Sequence, residues 1–288
     1  MIFNQGFRYA MMRVLQDLQQ KAILPTMLYL SIVTILLYLA AGVVQSLRLG
    51  GKLSEGKPAV LVCGALAVLL HAYLLHRWID TAAGQNLALM NIVSLVFWTS
   101  SLLVTFTMMR NSLENLVIFL YPLASISIIL VLMLPGKHVI DTGDNPKQLT
   151  HILLAILAFS VFCTAALQAV LLAIQDRLLR SKHPSRLMLA LPSIETMETL
   201  LFQIILVGFI LLSLLIFSSM VIFHNLFSPT VVHETILSIL AWLVFAILLW
   251  GRYYLGWRGR TAIRWTIAGV VLLMLAFFGS RYLIGLLV

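Results

Sequence analysis

The residues of this chain best suited to chemistry are its seven histidines, His71, His76, His138, His151, His183, His224 and His233. A neutral imidazole nitrogen is a good ligand for transition-metal ions, and two imidazoles from different helices can fill the two axial positions of a haem iron. His151 and His233 each stand at the start of a long apolar run, which makes them a candidate axial pair. For either one the structural alternative is an interfacial polar residue or a helix cap. His71 lies inside an apolar run, five residues before His76, or about 7–8 Å along a helix axis. A histidine within a membrane span is functional by default, and its structural alternative is a hydrogen bond to a neighbouring helix.

Other chemistries find less. Cys63 and Cys163 stand alone in apolar runs, with no CxxC or zinc-type spacing, and read as small buried hydrophobes. Asp141 and Asp144 could join the histidines around a divalent cation, though DTGDNP also reads as a solvated turn. No HExxH, GxSxG or Walker A pattern occurs, so hydrolysis and nucleotide chemistry have no support.

The elements that must position these histidines are membrane helices. Of the 288 residues, 61% are hydrophobic and 10% charged, against about a quarter charged in soluble domains. Apolar runs long enough for ~30 Å of hydrocarbon fall near 27–46, 58–76, 87–108, 115–135, 151–174, 200–223, 235–251 and 265–287. They lack the alternation of barrel strands, so the expected fold is an all-α polytopic transmembrane bundle of about eight spans. Pro122 should kink the fourth. Residues 1–26 carry Phe3, Phe7, Met11, Leu15 and Leu18 at helical spacing, and read either as an interfacial helix or as a stretch upstream of a true start at Met27.

Basic residues set the orientation. One set of alternate loops holds Arg48, Lys52, Lys57, Arg110, Arg177, Arg180, Lys182, Arg186, Arg252, Arg258, Arg260 and Arg264. The other holds half as many, Arg8, Arg13, Lys21, Arg77, Lys137 and Lys147. The positive-inside rule puts the first set in the cytoplasm and both chain ends outside, with Arg281 snorkelling to the outer interface. All the histidines but His183 then face outward or lie in the outer parts of helices. No Asp, Glu or Lys sits deep in a run, which argues against a proton- or cation-coupled transporter. The net charge of +9 is scattered among loops, and WGRYYLGWRGRTAIRW (250–265) reads as an aromatic belt with inward positive charge, not as a nucleic-acid surface. Glu195 and Glu198 suit the positive end of the sixth helix.

Several stretches resemble one family. GWRGR (256–260), Trp242 in the helix before it and the FGSRY ending carry most of the match. GQNLALMNIVSLVFW (84–98), HILLAILAFSVF from His151 and ETMETLLFQIILVGFILL from Glu195 add to it. Together they make residues 27–288 resemble the CcsA-type cytochrome c assembly family, in its YpjD- and HemX-like branch of bacterial inner-membrane proteins. The resemblance implies a haem-handling bundle in which a transmembrane histidine, here His71, and outer histidines, here including His151, hold the haem. His233 falls where the family's tryptophan-rich WWD loop meets the next helix. This chain has only HNLFSPTVVHET there, without tryptophan, and lacks the family's final outer histidine.

The expectation is therefore an accessory haem-binding protein, not a full synthase, with His151 and His233 as axial ligands and His71 as an internal one. Trp98 and Trp242 are positioned to line a porphyrin or to pack. Expected partners are the lipid bilayer and haem-pathway or cytochrome c assembly proteins, with no nucleic acid. The alternatives are an accessory subunit of a magnesium or cobalt efflux system, and a membrane scaffold without a ligand.

Overall fold

The computed structural model describes residues 3–53, 55–81, 84–109, 113–140, 146–180, 192–222 and 232–279. His183, His224, Asp141, Asp144, Arg110, Lys182, Arg186 and Arg281 lie outside them. Among the described residues eight α-helices follow in order: α1 (Phe3–Leu49), α2 (Lys57–Ile79), α3 (Leu89–Met108), α4 (Val117–Met133), α5 (Pro146–Arg180), α6 (Ile194–Ile222), α7 (Val232–Tyr254) and α8 (Arg260–Met274). All eight contain a stretch long and apolar enough to cross a membrane, so the expected count holds. The first span starts at Pro25 within α1, whose backbone is helical from Phe3 without a break. Helix α4 continues through Pro122 as one element, and α8 passes into a wider π-type turn, Leu275–Gly279.

Helices α1 to α4 pack on one another, α5 packs on α6 and α8, α7 packs on α6 and α8, and α3 against α5 joins the two groups. In lipid, close approach and satisfied polar groups hold helices together more than apolar burial does. Phe162 of α5 and Phe245 of α7 stack 4.1 Å apart at the centre of the second group. Glycines make room for them: a Cβ on Gly208 would lie 2.9 Å from the Phe162 ring, and one on Gly269 would lie 2.6 Å from the Phe245 ring. Gly64 does the same for Tyr121 in the first group. Hydroxyls buried in the spans bond back to carbonyls one turn earlier, as Thr34 does to Leu30, Thr164 to Ser160 and Thr266 to Ala262.

Where they are described, the two sets of alternate connections lie at opposite ends of the bundle. At the arginine-rich end, Glu198 near the start of α6 accepts the Gly259 backbone N–H at 2.6 Å, and Arg252 lies 3.8 Å from the same carboxylate. Asp176 near the end of α5 bonds Arg180 and Arg260. Arg252 also lies over the Phe202 ring, 4.7 Å from its centroid. The GWRGR block is thus a turn pinned by a buried carboxylate. Its glycines, Gly256 and Gly259, have φ of 66° and 55°, which favour a residue without a Cβ.

The other end carries three short strands, β1 (Asp80–Thr81), β2 (Gly84–Asn86) and β3 (Val139–Ile140), which the all-helical expectation did not include. They form an antiparallel sheet in the order β1-β2-β3, with Asp80 opposite Gln85 and Gln85 opposite Ile140. Strands this short show no side-chain alternation that a sequence could reveal. Asn86 ties the two connections together, donating to the Gly136 carbonyl at 3.1 Å and accepting from the His138 N–H at 2.8 Å. The GQNLALMN stretch therefore anchors the α4–α5 connection onto the start of α3.

Candidate functional site

His71 sits on the inward face of α2 with no exposed surface. Its Nε2 lies 2.8 Å from the Ser94 hydroxyl of α3 and its Nδ1 lies 3.3 Å from the Tyr38 hydroxyl of α1. The Ser127 hydroxyl of α4 donates to Ser94 Oγ at 3.4 Å. Four helices therefore meet at this imidazole through side-chain hydrogen bonds, and both ring nitrogens are engaged. Ligation of a metal by His71 would first require one of these bonds to exchange.

Five residues on, His76 projects from the last turn of α2, which ends at Ile79. Its Nδ1 lies 2.5 Å from the Asp80 carboxylate, one helical turn away. Both side chains are accessible, at 65% and 47% exposure. Beside them a cleft of about 230 Å³ opens between α2, α3 and α5 under the small sheet. Leu75, Ile79, Leu95, Trp98, Ile152 and Ile156 form much of its wall, with His76, Asp80 and Gln85 as the polar part. Trp98 donates its indole N–H to the Val68 carbonyl at 2.9 Å, which fixes the ring against α2. The residue types suit an apolar ligand carrying one group that an imidazole can recognise. Sequence reasoning placed His76 among the outer histidines but not in the site. The available signal was Asp80 four residues later, where helical geometry puts it beside His76.

His151 and His233 start two other helices at the same end. His151 is half-buried on α5, with Nδ1 2.8 Å from the Ser218 hydroxyl of α6. His233 is exposed in the first turn of α7. Trp242, lower on α7, donates its indole N–H to Ser213 Oγ at 2.9 Å and stacks on Phe209 with ring centroids 5.3 Å apart. Trp242 thus packs α7 on α6, while Trp98 lines the cleft. No His, Cys, Asp or Glu group of three or more is close enough to hold a bare metal ion among the described residues.

The chain belongs to the cytochrome c assembly protein family, whose model matches residues 59–287. It is 34% identical over 223 residues to the inner membrane protein YpjD of Escherichia coli K12, an alignment that covers 77% of this chain and 84% of that relative. The YpjD proteins of Escherichia coli O6:H1 and O157:H7 match to the same extent. No solved structure matches the chain. With its eight candidate spans, it is a multi-pass inner-membrane protein of this family.

Proposed function

We propose that this chain binds and handles haem at the histidine-bearing end of the bundle, as an accessory of cytochrome c assembly and not as a synthase. The observation that carries the reading is the placing of His76, His138, His151 and His233 at helix ends or in a connection at one end, opposite the arginines. Haem needs one or two imidazoles at its iron and an apolar surface, not a cage of three or more protein ligands. The donor set fits that need. The accessory role is supported by the stretch HNLFSPTVVHET (224–235), which contains no tryptophan to form an aromatic platform.

His151 and His233 are the proposed axial pair, with His71 as an internal imidazole held in reserve by Ser94 and Tyr38. When bound, haem would supply the iron chemistry, while the protein's residues hold it and shield its faces. Trp242 is the aromatic side chain proposed to border it there, while Trp98 lies in the cleft beside His76. The test is an absorption spectrum of detergent-purified protein, oxidised and reduced, with a pyridine haemochrome assay for stoichiometry. The expected result is a Soret band that is lost in the His151→Ala, His233→Ala double variant while membrane insertion is unchanged. A featureless spectrum after reconstitution with haem would overturn the reading, and a band unchanged in the double variant would overturn the ligand pair.

A further inference from the structure

The cleft beside His76 lies on the other side of α5 from His151. Leu149, Ile152, Leu153 and Ile156 face the cleft. At 3.6 residues per turn, His151 falls on the opposite side of the helix, and there it meets Ser218 of α6. An iron held by His151 is therefore not within reach of His76, and the cleft needs its own account.

Asp80 supplies much of that account. A carboxylate that accepts a hydrogen bond from Nδ1–H of a neutral imidazole keeps the ring proton on that nitrogen and leaves Nε2 with its lone pair available. Such a partner also fixes the ring orientation, as it does behind metal-bound histidines. His76 Nε2 has no protein partner among the described residues, whereas both nitrogens of His71 are engaged. The dyad thus presents one oriented nitrogen without a protein partner among the described residues.

The cleft supplies the rest. Its wall is apolar and includes the flank of Trp98, whose N–H is already spent on Val68 and asks nothing of a ligand. Leu153, on its rim, is 55% exposed, so the cleft opens sideways towards lipid as well as at the end of the bundle. Its 230 Å³ is smaller than the ~300–1,000 Å³ that encloses a drug-sized molecule, so a macrocycle would insert one edge and leave the rest outside.

We infer that the His76–Asp80 dyad and the Trp98 cleft form a second metalloporphyrin site, in which His76 Nε2 ligates the metal and the apolar edge of the ring enters the cleft. The inference rests on the haem-handling reading and adds a receiving site separate from His151 and His233. A surface-open site with one imidazole suits transient occupancy, as a station that takes the porphyrin from lipid or from a partner.

The probe is zinc protoporphyrin IX, with metal-free protoporphyrin IX as control, titrated into the purified full chain in lipid nanodiscs and followed by the Soret shift of axial ligation. His76→Ala should abolish one component of the shift, and free imidazole should restore it. Asp80→Asn should weaken that component about 10- to 100-fold, as loss of a partner behind a metal-bound histidine does. His151→Ala with His233→Ala should leave it in place. Full ligation in His76→Ala, lost only in the double variant, overturns this inference and leaves the haem-handling reading standing. No ligation in the wild-type protein overturns both.

Discussion

His71 and His76 share one helix and the same residue type, yet their surroundings assign them different work. The sequence shows both and offers Asp80 as a neighbour for His76, but it cannot tell which neighbours His71 meets, because those come from α1, α3 and α4. The His71 ring is buried, and a buried polar group without its partner loses about 1–3 kcal/mol. Ser94→Ala removes the Nε2 partner without touching the backbone of α3, so the unfolding free energy of the purified protein should fall by about 1–3 kcal/mol, read as a lowered thermal midpoint. The same variant tests the reserve-ligand role. If His71 waits to bind iron, releasing Nε2 should raise the haem retained on purification as stability drops. A drop in stability with no gain in haem would leave His71 as a knot tying four helices together and nothing more.

At the level of elements, the carboxylates and the GWRGR turn show what helical pattern conveys and what it omits. Eight apolar runs are legible because hydrocarbon demands about 20 residues per span. Their ends are less so: the sixth span begins at Ile194 and the last at Arg260, several residues before the apolar runs do, because polar first turns still bond as helix in the interface. Glu198 could be read from sequence as suited to a helix N-terminus. Its contact with Gly259 could not, since 61 residues separate the two. Likewise, Asp80 beside His76 was accessible from spacing, while the cleft formed with α5 required the fold. The turn yields a comparison between two carboxylates. Glu198 is almost fully buried and serves a backbone N–H and Arg252, so Glu198→Ala should cost about 1–3 kcal/mol in unfolding free energy. Asp176 pairs with arginines that are about 60% exposed, so Asp176→Asn should cost less than about 1 kcal/mol. Thermal or denaturant unfolding in detergent checks both, and equal losses would show that the turn is not pinned through Glu198.

At the scale of the whole molecule, the internal contacts establish that the alternate loops lie at opposite ends, and charge supplies the direction. Strand pairing between Gly84–Asn86 and Val139–Ile140 joins the α2–α3 and α4–α5 connections at one end. Glu198 and Arg260 join the other set. Twice as many lysines and arginines sit in the second set, and the positive-inside rule predicts that end in the cytoplasm. Direction matters because it decides which compartment the histidines serve. With Cys63 and Cys163 replaced by serine, single cysteines can be placed at the exposed positions Val139, in β3, and Thr261, at the start of α8. A membrane-impermeant maleimide applied to intact spheroplasts should label Val139→Cys and leave Thr261→Cys untouched until the membrane is opened. Haem presented at His76, His151 or His233 would then meet partners outside the cytoplasm, the side on which an accessory of cytochrome c assembly has to act. The opposite labelling would turn the same histidines towards the cytoplasm and overturn the outward orientation. The cleft and its dyad would remain, but as a site loaded from the compartment where haem is made.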